Sequence, residues 1–156
     1  DNVPYKDKTF DAIICLDVIE HIDDDLKSLQ TLNHILSDQG VLILTVPAMQ
    51  FLWSKWDDLN HHKRRYHKAQ LKAVIEKAGF EIQKISYYNS LLFIPIACVR
   101  LLKNALNNDS DKSDTELPGP LMNAILKGIF SAEEWLLKFI SFPVGVSLIV
   151  VANKKK

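Results

Sequence analysis

The sequence predicts an α/β protein whose sheet is mainly parallel. Two apolar stretches, residues 12–16 and 41–46, run without alternation, which is typical of strands that are covered on both faces. Between them, leucines and isoleucines repeat at helical spacing over residues 26–36, so strand, helix and strand follow one another. This order indicates a βαβ unit, in which the helix crosses the sheet and the two strands run in the same direction.

The composition fits a globular chain of about one domain. The chain has 156 residues, 47% hydrophobic and 24% charged, with a formal net charge of zero. A neutral chain lacks the basic surface that nucleic acids require, so we expect no nucleic-acid partner. Cys15 and Cys98 lie in apolar stretches and are predicted to be buried reduced thiols, as in a cytoplasmic protein.

The residues that follow the first predicted strand are the strongest functional signal. Asp17, Glu20 and His21 stand where this strand would end. Ligands of open α/β sheets bind beyond the carboxyl ends of the strands, so acidic and imidazole groups here indicate a binding site. In the alternative interpretation, His21 braces the next helix and Glu20 orients the turn.

Turn residues predict where the first helix and the second strand begin and end. The aspartates at residues 23–25 are interpreted as helix caps, because their oxygens accept free backbone N–H groups and complement the helix dipole. Residues 37–40 are expected to stop the helix, with Gly40 in a left-handed conformation. Pro47 is expected to end the second strand, since proline has no N–H for the ladder.

A long connection follows the second strand and would overhang the same edge of the sheet. Residues 48–66 carry two tryptophans, a basic turn and two adjacent histidines. Because long connections in compact domains are often functional, we interpret it as a substrate lid, with a solvated loop pinned by aromatic residues as the alternative. His62 is a candidate base or substrate donor. The residues predicted to contact the substrate are Trp53, Arg64, Arg65 and Tyr66.

The second half of the chain predicts a further helix and two strands. An amphipathic helix over residues 68–78 is closed by Gly79, and a strand over residues 80–88 follows. Residues 144–152 form the last strand, which is mostly apolar and is therefore expected to be central.

Between these two strands, residues 90–142 predict a helical insertion with a polar linker at residues 107–116. The apolar faces within residues 91–142 could pack on the core or on a protein partner. They could also line a pocket for a lipophilic substrate or contact a membrane surface.

Residues 10–22, together with the strand that ends at Pro47, resemble the central part of class I S-adenosylmethionine-dependent methyltransferases. The resemblance covers about residues 1–90 and resumes at the last strand. It implies a Rossmann-like sheet with an antiparallel final strand and S-adenosylmethionine as the cofactor. The family's glycine-rich cofactor loop is absent, so we interpret residues 1–156 as a partial, C-terminal methyltransferase domain that contains the 90–142 insertion.

The resemblance also implies site residues. Those that it places at the cofactor are Leu16, Asp17, Val18 and His21. His21 and His62 are the catalytic candidates. Some methyltransferases hold a divalent metal on an acid-x-x-Glu-His string, which Asp17, Glu20 and His21 match, but metal-free relatives share this string and we assign no metal.

We therefore expect methyl transfer from S-adenosylmethionine to a small-molecule or lipid-like acceptor. The reaction mainly needs alignment of donor and acceptor, so a compact catalytic group is not required. The alternative is a non-catalytic, methyltransferase-like subunit that binds a partner. A dinucleotide-binding enzyme is disfavoured, because the turn after the first predicted strand, residues 17–21, is not a glycine-rich pyrophosphate turn. Without further strands, residues 10–16 would form an apolar edge, so this chain alone is expected to self-associate or to bind cofactor weakly.

Overall fold

The computed structural model describes residues 7–105 and 119–155, which form a four-stranded sheet with helices packed on it. The strands are β1 (Phe10–Leu16), β2 (Leu36–Pro47), β3 (Phe80–Tyr88) and β4 (Ser147–Lys154). Their order in the sheet is β1-β2-β4-β3. β1, β2 and β3 run in one direction, and β4 lies between β2 and β3, antiparallel to both. The predicted parallel sheet with an antiparallel, central last strand is therefore confirmed.

The predicted helices occur in the predicted order, and the connection that we interpreted as a substrate lid contains a further short helix. The helices are α1 (Asp25–Ile35), α2 (Lys55–Leu59), α3 (Lys68–Lys77), α4 (Phe93–Ala105) and α5 (Pro120–Leu137). The side chain of Asp24 caps α1 by accepting the backbone N–H of Lys27 at 2.9 Å, and Gly79 follows α3 with a φ of +91°. None of the described helices combines the length and the apolar character needed to cross a membrane.

The stretch between β3 and β4 contains α4 and α5, where we predicted the helical insertion. Its treatment as a separate unit within the domain stays a prediction. The predicted polar linker at residues 107–116 lies outside the described residues.

The core lies between one face of the sheet and the helices α1 and α3. Alternate strand residues point to this face, among them Leu44 of β2 and Val150 of β4, and both are fully buried. Leu29 of α1 and Leu71 and Ile75 of α3 close over them and are also fully buried. The helical spacing of the apolar residues thus supplies the cover that this face of the sheet requires.

The prediction that the first strand is covered on both faces is wrong for this chain. β1 lies at the edge of the sheet and pairs with β2 alone. Cys15 faces the core, whereas the alternate residues Ile14 and Leu16 are 64% and 53% exposed. The edge position that we expected is therefore confirmed, and the unbroken apolar pattern leaves one face of β1 without cover among the described residues.

Two local predictions are also corrected. Gly40 is not the left-handed end of a helix: α1 ends at Ile35, and Gly40 lies inside β2 with a φ that is not positive. A Cβ atom on Gly40 would come within 2.6 Å of the Leu36 side chain, so close packing requires the glycine. Cys98 is exposed on α4, whereas Cys15 is buried as predicted, and both are free thiols.

Candidate functional site

The three parallel strands end at one edge of the sheet, and each is followed by a residue in the left-handed conformation. Asp17 follows β1 with a φ of +50°, Met49 follows β2 with a φ of +61°, and Asn89 follows β3 with a φ of +55°. Such a conformation costs a non-glycine residue about 1–3 kcal/mol, and residues that adopt it cluster at functional sites. We infer that this edge carries the site.

The corner after β1 turns sharply and buries a glutamate. The backbone N–H of Asp17 donates to the carbonyl and hydroxyl oxygens of Thr45 at 3.0 and 3.2 Å, which ties the corner to β2. A 3₁₀ turn, Ile19–His21, follows, and Glu20 within it is fully buried. Neither carboxylate oxygen of Glu20 meets the geometry of a hydrogen bond with a described residue.

Burial raises the pKa of Glu20 to about 7. The negative charge of Asp17 raises it further, while the backbone N–H of Glu20 itself and the charge of Arg65 oppose the shift. The corner thus contains a carboxyl group that is held in an environment unfavourable to its charge.

The long connection folds over this corner, as its position predicted. The backbone N–H of Lys63 donates to the Glu20 carbonyl at 2.8 Å, and Nη2 of Arg64 donates to the carbonyls of Ile22 and Asp23 at 2.9 Å each. These bonds bring the preceding residue, His62, to the corner. The rings of His21 and His62 meet edge-on, with centroids 4.7 Å apart and an angle of 76° between the planes.

A second buried carboxylate, Asp57 at the start of α2, orients His62. Asp57 accepts the backbone N–H of Ser54 at 2.9 Å and Nε and Nη2 of Arg65 at 2.8 and 3.0 Å. Burial opposes its ionisation, but the bonds and charge of Arg65 hold the pKa of Asp57 below its ordinary value. Nδ1 of His62 lies 2.9 Å from Oδ1 of Asp57. Because an ionised carboxylate can only accept, Nδ1 donates this bond, and in the neutral ring the lone pair is then on Nε2.

Glu20, His21 and His62 converge. One potential ligand atom from each lies within 4.8 Å of the others. Such a group can exchange a proton with a substrate or hold a cation. Sequence reasoning had considered Glu20 and His21 together, in the acid-x-x-Glu-His string, but had not joined His62 to them.

The predicted substrate residues lie in the same connection but are engaged with the protein. Trp53 is half-buried before α2. Arg64 pairs with Asp25 at 3.1 Å, and the hydroxyl of Tyr66 donates to the same carboxylate at 2.7 Å. Arg65 is 4% exposed, and its guanidinium is held by the buried aspartate described above. Substrate contact by Arg64, Arg65 or Tyr66 would require these side chains to leave their partners, so their predicted role stays a prediction.

The predicted cofactor residues stand at the open side of the corner. Leu16 and Val18 are exposed apolar residues on either side of Asp17. Tyr88, at the end of β3, is a neighbour that the sequence analysis missed. Burial and, after it, the charge of Asp17 raise the pKa of Tyr88, while hydrogen bonding to Ser147 and Thr45 lowers it. Only its place at a strand end distinguishes Tyr88 from a core aromatic.

Two hollows of the described surface lie away from this edge. One is lined by β3 and the residues after α5, including Lys84 and Phe139, and the other surrounds Phe80 at the start of β3. Neither includes a residue of the corner, so the candidate site rests on its chemistry and its place in the sheet rather than on an enclosed cavity.

Comparison with known proteins supports the same class. The family described as "Methyltransferase domain" matches residues 1–85, more than half of the chain. The chain is 34% identical over 94 residues to the uncharacterized protein MJ0638 of Methanocaldococcus jannaschii, which covers 60% of this chain and 39% of that protein. It is 29% identical over 83 residues to a protein of Mycolicibacterium smegmatis named as a probable S-adenosylmethionine-dependent methyltransferase. This match covers 52% of this chain and 32% of that protein.

A solved structure shows the same fold. It is a chain from a complex with the Trm112 methyltransferase activator of Haloferax volcanii, and it superposes with a TM-score of 0.58 at 11% identity. The superposition covers 100% of this chain and 59% of that chain.

The chain belongs to the methyltransferase domain family. The predicted class, an S-adenosylmethionine-dependent methyltransferase with a Rossmann-like α/β fold, is confirmed, and so is S-adenosylmethionine as the cofactor of that class. The chain spans only 39% and 32% of the lengths of the two curated relatives, so the activity of the whole protein is a proposal.

Proposed function

We propose that this chain forms the acceptor side of an S-adenosylmethionine-dependent methyltransferase that acts on a small-molecule or lipid-like acceptor. The observation that carries the proposal is the convergence of functional groups at the carboxyl edge of the sheet. Glu20, His21 and His62 meet there, at the turn that follows Asp17 and beside strand ends that are held in left-handed conformations.

The cofactor would lie against Leu16, Asp17 and Val18. The two apolar side chains are exposed at the turn and offer a surface for the apolar parts of the cofactor. The backbone of Asp17 is fixed by its bonds to β2, so the Cβ atom from which its side chain extends has a defined position. His21 follows at the end of the 3₁₀ turn and contacts His62 of the long connection.

The reaction is an in-line displacement at the methyl carbon. A lone pair of the acceptor forms the new bond to carbon, the carbon–sulfur bond breaks, and its electron pair stays on sulfur, leaving a neutral thioether. If the acceptor is a hydroxyl, its proton must also be removed. His21 and His62 are the residues proposed to assist, either as the base or through an ion that they bind.

The apolar helices support a lipid-like acceptor. Large apolar side chains are exposed on both helices. They are Ile94 and Leu102 of α4, Leu121 and Trp135 of α5, and Phe139, which follows α5. Their exposure in the described residues provides a surface on which an acyl chain or a bilayer could rest while a polar head reaches the corner.

A second candidate is a methyltransferase-like subunit that works with a protein partner. The solved chain with the same fold was captured in complex with a methyltransferase activator. In this chain, the exposed Ile14 and Leu16 at the sheet edge offer an apolar surface for such a partner.

Titration calorimetry of the full-length protein with S-adenosylmethionine separates the two candidates. Heat of binding, followed by transfer of a labelled methyl group into an organic-extractable product, supports a lipid-like acceptor, whereas a water-soluble product supports a small polar one. His21→Ala is expected to lower turnover more than it lowers the melting temperature. An equal loss of both would assign His21 a bracing role, and no heat of binding would favour the partner-binding subunit.

A further inference from the structure

The corner contains a fully buried carboxyl group, that of Glu20, whose two oxygens have no hydrogen-bond partner among the described residues. A buried polar group without a partner destabilises a protein, and an ionised one does so more strongly. The other carboxylates that are buried in the described residues, Asp57 and Glu133, accept several hydrogen bonds each.

Two imidazoles lie close to the carboxylate of Glu20. The ligand atoms of Glu20, His21 and His62 lie within 4.8 Å of one another. Atoms bound to one zinc ion at about 2.0–2.1 Å can be at most about 4.2 Å apart. Small rotations of the side chains, chiefly of Glu20 and His21, would therefore bring all three atoms to one ion.

The imidazole of His62 is already prepared for a metal. Asp57 accepts a hydrogen bond from Nδ1, which in the neutral ring leaves the lone pair on Nε2. Carboxylates beside metal-binding histidines commonly have this role. Arg65 in turn fixes Asp57 through two hydrogen bonds. The bond from the N–H of Lys63 to the Glu20 carbonyl joins the long connection to the corner. The backbone segments that carry the three donors are therefore held together.

We propose that Glu20, His21 and His62 bind a divalent transition-metal ion. Two imidazoles and one carboxylate form a donor set of the kind that binds zinc and its first-row neighbours, with at least one coordination position left for water or substrate. Asp17 does not belong to the converging group, so this site differs from the Asp17, Glu20 and His21 set considered from the sequence and revises the assignment of no metal.

Bound metal would change the role of the two imidazoles. One nitrogen of each imidazole would serve as a ligand, and an acceptor hydroxyl bound to the ion would have a lowered pKa and would release its proton to solvent water rather than to a free histidine. The site itself does not depend on methyl transfer or on the cofactor.

The test is zinc binding by the full-length protein without a histidine tag. After dialysis against a chelator, Zn²⁺ is titrated in competition with a chromophoric chelator, and Co²⁺ is followed by its visible absorption. We expect one equivalent of Zn²⁺ per chain and a higher melting temperature. Glu20→Gln, His21→Ala and His62→Asn should each weaken binding by at least the roughly 10- to 100-fold that loss of an outer-shell partner costs.

His61→Asn is the matched control. His61 is the exposed neighbour of His62 and has a φ of +56°, which asparagine tolerates. Asparagine at position 62 can still donate to Asp57, so His62→Asn removes the ligand atom while keeping that bond. We expect His61→Asn to bind Zn²⁺ like the wild type, and circular dichroism checks that each variant is folded.

Several results would overturn the proposal. These are the absence of stoichiometric Zn²⁺ binding by the wild type, equal effects of His61→Asn and His62→Asn, or a response to Mg²⁺ alone. If Glu20→Gln fails to fold, His21→Ala and His62→Asn carry the test. Calorimetry with S-adenosylmethionine on the metal-free protein is a separate readout, so loss of the metal site and loss of the proposed function are distinguishable.

Discussion

Asp57 and Glu20 are both fully buried carboxyl groups at the same end of the sheet, but their surroundings differ sharply. Asp57 accepts bonds from the backbone of Ser54, from His62 and twice from Arg65, and its pKa is lowered. Glu20 has no such partner, and its pKa is raised to about 7, chiefly by burial. One group is part of a closed network, and the other has unused bonding capacity.

The difference separates structural from functional use of a buried charge. A charge whose partners are all supplied by the chain braces the fold, because removing any partner leaves the others unsatisfied. A buried charge without partners destabilises the fold unless a ligand supplies what is missing. Such groups are therefore the better guide to function, and substitutions and labelling experiments can test the contrast.

The largest effect is expected from Asp57→Ala. The variant would leave the guanidinium of Arg65 buried without its counter-charge, and breaking a buried pair in this way costs about 3–5 kcal/mol of unfolding free energy. Urea denaturation measures the loss. Asp58→Ala removes an exposed neighbouring carboxylate that accepts the indole N–H of Trp53, and should cost under about 1 kcal/mol. Similar losses in both variants would mean that burial of Asp57 does not matter.

Glu133→Ala should have an intermediate effect. Glu133 of α5 is buried and accepts the backbone N–H groups of Ser90 and Leu91 at 2.9 and 3.0 Å, which joins α5 to the end of β3. Losing bonds to a charged acceptor is expected to cost about 1.5–3 kcal/mol. The control is Glu134→Ala, on the exposed neighbour, where the denaturation midpoint should barely move. A stable Glu133→Ala variant would show that this buried carboxylate is dispensable.

Glu20→Met should act in the opposite direction and more weakly. Methionine fills a similar space without an unsatisfied group, so in the presence of a chelator the unfolding free energy should stay the same or rise by about 1 kcal/mol. Added Zn²⁺ should stabilise the wild type and leave the variant unchanged. A loss of several kcal/mol in the metal-free variant would show that Glu20 has a structural partner after all, and would end the contrast with Asp57.

Much of the fold could be predicted because its signals are local. The apolar runs, the helical spacing and Pro47 marked β1, β2, α1 and α3, and the antiparallel place of β4 followed from the family resemblance. Gly40 was misread because a glycine after a helical stripe resembles a C-cap. Its actual role, making room for Leu36 inside β2, depends on packing that no local pattern reveals.

The candidate site could be predicted only in part. Position after a strand identified His21, and the long connection identified His62, but their contact depends on bonds from Lys63 and Arg64 to the corner. Asp57 stands beside Asp58 in the sequence, and the two residues look alike. Only the fold makes one a buried brace and the other a surface carboxylate.

The smallest effect of a substitution is expected on the reactivity of the Cys15 thiol, which depends on the polarity around the corner. Burial raises the pKa of Cys15 to about 11, and the charges of Glu20 and Asp17 add to the shift. At pH 8 a thiol with such a pKa is about one part in a thousand thiolate, so Cys98, which is exposed, should react with iodoacetamide far faster. Mass spectrometry of timed samples gives the two rates, and unfolding in urea should equalise them.

Glu20→Met turns this measurement into a test of the charge of Glu20. The substitution removes one of the charges that raise the pKa of Cys15 but leaves the burial in place, so labelling of Cys15 should accelerate modestly while Cys98 is unaffected. Asp58→Ala, which alters a carboxylate not among the causes of the Cys15 shift, should change neither rate. If Cys15 in Glu20→Met reacts no faster than in the wild type, Glu20 does not act on it as a charge, and its buried carboxyl is held protonated at that pH.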